Sequence, residues 1–188
     1  MAMRINPFSA LPRAFSRAFL ARIQRTSLYR AVSRYRVLGV EILEAHGADM
    51  NEVQRVFGLE VTPAPPEDRD VVNLVAKKAE NIVGFAQLVR HSSDGTPDTG
   101  YFLFSLNVRP LYRGLGIGRR LTEQVMVRAK AEGARELSVI TREGNRIALA
   151  LFGQLGFQIK TPMAFGEELS LQGGKNVILV KPLIHWKL

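Results

Sequence analysis

The chain has 188 residues, of which 46% are hydrophobic and 23% charged; this composition indicates one folded domain with room for an extension, and excludes global disorder, collagen and coiled coil. It contains no cysteine, which excludes a disulfide scaffold, a thiolate zinc site and a cysteine nucleophile. No stretch approaches the roughly 18 consecutive apolar residues of a membrane-spanning helix.

The net charge of +9 is concentrated near the N-terminus. Residues 1–40 contain eight arginines and no acidic residue, whereas residues 41–188 hold 18 basic and 17 acidic residues. The protein is therefore a near-neutral body with a basic segment, and its high pI does not indicate that the whole molecule binds nucleic acid. We divide it into a basic N-terminal extension, residues 1–36, and a main domain, residues 37–188.

The basic extension has the pattern of an amphipathic helix. Residues 8–23 place apolar side chains at spacings of three and four, with Ser9 as the expected N-cap before Pro12. Four interpretations of residues 1–36 stay open: a mitochondrial transit peptide, an interfacial helix on anionic lipid, an RNA-binding arm, or a helix that packs on the body or on a partner subunit. The helical spacing of the phenylalanines favours a continuous apolar face over base stacking.

The location expected from these interpretations is the cytoplasm, with the protein peripheral at a membrane if the extension binds lipid. It is the mitochondrial matrix if residues 1–36 are a transit peptide. Nucleic acid is the less favoured partner.

The main domain alternates strand and helix signals. Strands are predicted for residues 37–44, 71–78, 81–90, 101–108, 135–140, 157–164 and 176–182. Helices are predicted for residues 49–57, 117–132 and 145–155, and loops for residues 62–70 and 91–100. Asp49 is the expected cap of the first helix, and Gly133 and Gly156 are the expected stops of the other two. This order of elements predicts a mixed α/β or α+β sheet.

One stretch carries most of the chemical information. Residues 108–120 read VRPLYRGLGIGRR, an apolar strand that enters a glycine-rich turn and then a helix. Gly114, Gly116 and Gly118 remove side chains where the backbone turns tightly or approaches a ligand. The amides of residues 115–119 are then expected to point outward at the helix N-terminus, which is an anion site suited to phosphate or pyrophosphate.

The charged residues and the glycine spacing of this turn exclude two known kinds of phosphate-binding loop. Arg113 and Arg119 flank it and add positive charge. A Walker loop is excluded because no Gly-Lys-Ser/Thr is present. A dinucleotide fingerprint is excluded because Arg119 stands where its third glycine is needed. Taken alone, these residues also allow a glycine-rich connector that binds nothing.

Three segments together resemble one family. Arg113-x-x-Gly116-x-Gly118 resembles the R/Q-x-x-G-x-G/A signature of the GNAT superfamily of N-acetyltransferases. Residues 145–157, NRIALALFGQLGF, resemble its second motif, N-x-x-A-x-x-L-Y-x-x-x-G-F, and residues 82–85, IVGF, resemble its third strand. The resemblance covers about residues 37–182 in the right order.

The resemblance implies a fold and a co-substrate. The expected sheet has six to seven strands, is mostly antiparallel and is flanked by helices, and its central parallel strands, residues 101–108 and 135–140, splay apart. Acetyl-CoA, or another acyl-CoA, is expected between those strands, and no metal is expected. The residues expected to bind it are Leu106, Asn107, Val108, Arg113, Gly114, Leu115, Gly116, Ile117, Gly118, Arg119, Asn145 and Phe152.

The resemblance also implies separate roles within this set. The pyrophosphate is expected on the amides of residues 114–119. The backbone around Asn107 and Val108 is expected to bond the pantetheine and orient the thioester. Asn145 is expected either to contact the pantetheine arm or simply to cap its helix, and Phe152 is expected near the thioester sulfur.

The reaction implied is transfer of an acyl group, most simply acetyl, to an amine on a small molecule, a protein N-terminus or a lysine. Many family members have a tyrosine as proton donor at the position of Phe152, and some have a glutamate base at the position of Phe102 or near Ile140. All three positions are apolar here, so Glu143 and Asn107 are the remaining catalytic candidates. The alternative function is a non-catalytic acyl-CoA-binding or scaffold subunit, held to a membrane or a large complex by its N-terminal helix.

Overall fold

The computed structural model describes residues 35–58, 70–91, 100–160 and 176–183. The chain divides into two units, Met1–Leu38 and Gly39–Leu188. The helix predicted for residues 8–23 lies outside the described residues, as do most of the two predicted loops and the second half of the strand predicted for residues 157–164.

Seven strands and three α-helices make up the described part of the second unit. The strands are β1 (Val40–Glu44), β2 (Val71–Lys78), β3 (Asn81–His91), β4 (Gly100–Val108), β5 (Glu136–Arg142), β6 (Gln158–Lys160) and β7 (Asn176–Pro182). The helices are α1 (Ala48–Phe57), α2 (Ile117–Ala131) and α3 (Arg146–Gln154), and a short 3₁₀ turn spans Pro110–Tyr112.

The strands form one sheet in the order β1-β2-β3-β4-β5-β7-β6. Neighbouring strands are antiparallel except β4 and β5, which are parallel. The predicted fold class, a mixed and mostly antiparallel sheet with a central parallel pair, is confirmed.

Helices α1 and α2 pack on opposite faces of this sheet. Phe85 of β3 is fully buried in a cluster with Met50 and Val53 of α1. Gly84, its neighbour, points the other way because side chains alternate along a strand. A Cβ at Gly84 would lie 3.0 Å from Leu121 Cδ1 of α2, so glycine is what allows the helix to approach the sheet this closely. We call the two sides the α1 face and the α2 face.

Several predicted bounds differ from the structure by one to three residues, and two of these differences involve specific local contacts or turns. The first strand begins at Val40 rather than at residue 37, because residues 35–37 are helical and residues 38–39 form a turn. Helix α1 begins at Ala48 with Gly47 at the cap position and no side-chain cap. Asp49 instead accepts a 2.6 Å hydrogen bond from Lys77 Nζ of β2, and this bond raises the pKa of Lys77. Its carboxylate therefore joins α1 to the sheet instead of capping the helix.

Candidate active site

The parallel strands β4 and β5 are paired over only part of their length. Their register pairs end at Leu103 opposite Val139, whereas β4 continues to Val108 and β5 to Arg142. Beyond that point no described strand pairs with the facing edges, and we call this opening the gap. Backbone N–H and C=O groups at such an opening are available to a ligand.

A bulge shapes the β4 side of the gap. Phe85 of β3 pairs with Asn107, but Gln87, two residues on, pairs with Phe104, so β4 contains one extra residue here. Ser105 lies at this point with a φ of 52°, a left-handed conformation that is strained for a residue other than glycine. The Asn107 side chain donates a hydrogen bond from Nδ2 to the Ser105 carbonyl oxygen at 3.1 Å, which holds the two ends of the bulge together.

The N-terminus of α2 lies directly beside the end of β4. Gly116 occupies the cap position with a φ of 82° and provides no side-chain cap. The first amide that bonds into the helix is that of Arg120, which donates to the Gly116 carbonyl. The amides of residues 117–119 therefore have no carbonyl four residues back to bond, and the helix dipole adds positive potential there.

The glycines before α2 leave space for a ligand. Gly114 and Gly116 both have left-handed φ angles, and a Cβ built at either position would meet nothing within 4 Å. A Cβ at Gly118 would lie 3.8 Å from Val108 Cγ2 and 3.7 Å from Leu151 Cδ2, so β4, α2 and α3 meet at this glycine. Uncapped amides, a positive dipole end and open space are what a diphosphate requires, and these residues fit one.

The two arginines that flank this turn have protein partners. Arg113 donates from Nε to the Val108 carbonyl at 2.9 Å, which ties the turn back to β4. Arg119 donates from Nε to Glu123 Oε1 at 2.9 Å, so a carboxylate offsets part of its charge. Arg113 therefore orders the turn as well as adding positive charge, whereas Arg119 is paired within α2.

Asn145 caps helix α3. Its Oδ1 accepts a hydrogen bond from the Ala148 amide at 3.2 Å, the standard N-cap arrangement for asparagine. One of the two roles expected of Asn145 is thus observed, and the pantetheine contact stays a prediction.

Phe152 is a core side chain of α3. It is 2% exposed, and its ring lies 5.3 Å from that of Phe157 in an edge-to-face contact. A phenyl ring has no proton to donate, so nothing at this position can protonate a leaving thiolate. Its expected place near the thioester sulfur stays a prediction.

The α1 face beside the gap carries a cluster of apolar side chains. Gln87 lies on the same face as Phe85, and its pairing partner Phe104 points to that side together with Phe102. The two rings are 6.0 Å apart, and Phe104 is 41% exposed. Across the gap, Val139 pairs with Leu103 on the α2 face, so the next residue, Ile140, points to the α1 face. We call Phe102, Phe104 and Ile140 the apolar wall.

Glu143, the catalytic candidate expected besides Asn107, is exposed in the turn between β5 and α3. In the described ranges, no group of three or more His, Cys, Asp or Glu side chains is arranged to hold a metal. Among those same residues, no helix is both long enough and apolar enough to cross a bilayer.

Sequence reasoning missed two features of this site. Ser105 carries the strained backbone of the bulge, and serine gives no signal of a left-handed φ as glycine or asparagine would. In the sequence, Phe104 cannot be distinguished from the other apolar residues of a buried strand. Its exposure arises because the pairing of β4 with β5 ends at Leu103, one residue before it.

Comparison with known proteins agrees with this geometry. The model of the Acetyltransferase (GNAT) family matches residues 41–157. The N-alpha-acetyltransferase RimI of Mycobacterium tuberculosis is 37% identical over 83 residues, which are 44% of this chain and 49% of that protein. That protein and two other curated relatives are covered over only 27% to 56% of their own lengths.

Solved structures share the fold. The ribosomal-protein-S18-alanine N-acetyltransferase of Escherichia coli superposes with a TM-score of 0.59 at 20% identity, covering 79% of this chain and 98% of that chain. The structure of yncA from Salmonella typhimurium with its cofactor acetyl-CoA superposes with a TM-score of 0.60 at 18% identity, covering 78% of this chain and 95% of that chain.

The family model covers more than half of the residues and spans every helix and strand that borders the gap. The parted β4 and β5, the bulge and the uncapped helix of the glycine-rich turn all lie within the matched segment. The chain belongs to the GNAT family of acetyltransferases.

Proposed function

We propose that the protein transfers an acetyl group from acetyl-CoA to a primary amine, with an N-terminal α-amine as the preferred acceptor. The observation that carries the proposal is the uncapped N-terminus of α2, which opens beside the point where β4 and β5 part. The mycobacterial relative named an N-alpha-acetyltransferase supports the α-amine as acceptor.

The residues around the gap have distinct tasks in this reaction. The amides of residues 117–119 and the open space at Gly114 and Gly116 would hold the pyrophosphate. The β4 edge at residues 106–108, fixed by the bulge, would orient the thioester carbonyl. Acetyl-CoA, when bound, supplies an acetyl thioester that an amine can attack without a metal.

The positions where the family has a proton donor or a base are apolar in this chain, and this affects which amine can be the acceptor. Phe152 has no proton to give, and Phe102 and Ile140 cannot accept one. Deprotonating a lysine amine, with a pKa near 10.4, costs about 4.6 kcal/mol at pH 7, whereas an α-amine with a pKa near 7.8 costs about 1 kcal/mol. An active site without its own base therefore favours the α-amine.

Release of CoA from acetyl-CoA, measured with a panel of α-amines, lysine derivatives and small amines, tests the proposal. We expect release with α-amines, together with a limb near neutrality in the pH–rate profile, where the rate rises as the amine loses its proton. This limb should be unchanged in Glu143→Gln. Loss of that limb in Glu143→Gln would identify Glu143 as a dedicated base and contradict the mechanism.

A second candidate function is a non-catalytic acetyl-CoA-binding subunit, favoured by the phenylalanine at position 152. Titration with acetyl-CoA does not separate the two candidates, because both bind it. Saturable binding with no CoA release for any amine would support the non-catalytic function. Absence of binding in the unmodified protein would contradict both.

The extension of residues 1–36 is proposed to hold the protein to an anionic membrane or to a partner subunit, with the main domain in the cytoplasm. Its arginines and spaced phenylalanines support this proposal. The test is sedimentation of the full chain with anionic vesicles, using neutral vesicles as the control. Binding that weakens as salt rises is expected for a lipid contact, and no binding at low salt would dismiss it.

A further inference from the structure

The two faces of the sheet have different parts in the proposed reaction. Helix α2 packs on the α2 face, so its N-terminal amides approach the gap from that side. A molecule held there by its phosphates reaches the α1 face only by passing through the gap between β4 and β5. A thioester that extends through the gap would lie at the α1 face, where the amine would meet it beside the apolar wall.

The apolar wall has no charge of its own. Phe102 and Phe104 border one side of the gap and Ile140 the other. The polar side chains closest to them in the strand register are Ser138, which pairs with Phe102, Gln87, which pairs with Phe104, and Asn107, which follows Phe104 on this face beyond the bulge. Gln87 donates from Nε2 to Asn73 Oδ1 at 2.8 Å, so this neighbour is a neutral amide pair. No described position of this patch offers a carboxylate to a cationic substrate.

We propose that the apolar wall selects the acceptor: it receives the apolar side chain of the first residue of a peptide, whose α-amine then lies at the gap. The inference rests on the proposed function and names its substrate class. Phe104 is the main contact because its ring is the more exposed of the pair and lies at the last paired position before the bulge. A charged first residue is rejected because burying its charge against phenyl rings is costly.

The same surface helps the chemistry. A protonated amine that loses water against apolar groups has a lower pKa, because burial disfavours the charged form. The neutral nitrogen then attacks the thioester carbonyl carbon, the new C–N bond forms and the C–S bond breaks. The proton lost by nitrogen passes through solvent to the leaving sulfur, which gives CoA thiol and an acetylated peptide. No further reactant is needed.

The experiment compares peptides that differ only in the first residue: Leu, Phe, Ser, Asp or Lys. The full chain and acetyl-CoA are used throughout, CoA release is measured, and mass spectrometry locates the acetyl group. We expect kcat/KM for Leu-first and Phe-first peptides to exceed that for Ser-first by about tenfold. A second readout is the affinity for labelled N-acetylated Leu-first and Ser-first products, which cannot react.

Substitutions at the wall separate selection from folding. Phe104→Ser is expected to reduce the preference for Leu-first over Ser-first peptides to about twofold, both in kcat/KM and in affinity for the acetylated products. Phe104→Leu keeps an apolar side chain and should keep the preference of about tenfold. Val127→Ser removes another exposed apolar side chain, on α2, and is the matched control, with the preference unchanged. Acetyl-CoA binding is measured for every variant and should be retained.

The outcomes distinguish the two proposals. If CoA is released but the first residue makes no difference, or Asp-first or Lys-first peptides are preferred, the inference is overturned and the proposed function stands. If acetyl-CoA binds and no amine or peptide releases CoA, the proposed function itself fails. A preference that is unchanged in Phe104→Ser would show that another surface selects the acceptor, and would also overturn the inference.

Discussion

The Asn107 side chain bonds the carbonyl oxygen of Ser105 at 3.1 Å across the bulge of β4. The bond ends on the carbonyl of the residue with the left-handed φ, so it helps to hold in place a conformation that the backbone alone disfavours. Asn107→Leu removes the donor at similar size. We expect the free energy of unfolding to fall by about 1 kcal/mol. We expect kcat to fall about fivefold or more, since the β4 edge that we propose orients the thioester loses its support.

Ser105→Gly is the matched control for that prediction. Glycine adopts a φ of 52° without strain, so kcat should stay near the unmodified value. In the double variant, Asn107→Leu should then cost less than it does alone. Equal kcat for Asn107→Leu and the unmodified protein would contradict a positioning role.

Gly116 can be tested against Gly133, which lies at the other end of α2. Both have left-handed φ angles, 82° and 87°, and a Cβ at either meets nothing within 4 Å. Gly116→Glu and Gly133→Glu should therefore each destabilise the fold by a similar amount, about 1 kcal/mol. Only Gly116→Glu should abolish acetyl-CoA binding, measured by calorimetry, because it places a carboxylate at the expected phosphate position. Equal binding by the two variants would mean that the phosphate lies elsewhere.

Asn145 has two possible roles that different substitutions separate. Asn145→Ala removes the cap of α3 and should lower the free energy of unfolding by about 1 kcal/mol. Asn145→Ser keeps a capping oxygen and removes the amide group. If capping is its only role, Asn145→Ser should restore both stability and the KM for acetyl-CoA; a raised KM in a stable Asn145→Ser protein would indicate contact with the pantetheine arm.

The Lys77–Asp49 pair should make stability depend on alkaline pH. The hydrogen bond to Asp49 raises the pKa of Lys77 above its ordinary value of 10.5. A raised folded-state pKa adds stability that is fully present below 10.5 and is lost as the pH rises through the folded-state value. Denaturant unfolding should show a difference of about 1 kcal/mol between the unmodified protein and Asp49→Asn at pH 8, and a smaller difference at pH 11.

The sequence allowed much of the sheet to be predicted, because the elements have strong local patterns. Strand β2 matches its predicted bounds, and β3, β4 and α2 match to within a residue at each end. The buried face of α2, with Leu121, Val125 and Ala129, follows from helical periodicity. The site was identified mainly from its glycines, whose φ angles match a tight turn before a helix.

Other features depend on contacts that no local pattern contains. The prediction that Asp49 caps α1 was wrong because its carboxylate contacts Lys77, which lies 28 residues further along the chain in β2. The bulge at Ser105 arises from the register between β3 and β4, and periodicity along one strand does not report register. The exposure of Phe104 follows in the same way from where β4 and β5 stop pairing.

The short pairing between β4 and β5 predicts where local unfolding of the sheet begins. Strands β1–β4 and β5–β7 are two sub-sheets, joined in the strand ladder by only three register pairs, from Tyr101–Leu137 to Leu103–Val139. Local opening should begin at this seam, so amide hydrogens of residues 104–108 should exchange earlier than those of β2 and β3. A co-substrate seated in the seam would bridge both sub-sheets and slow that exchange, which would make it part of the folded structure as well as a reactant.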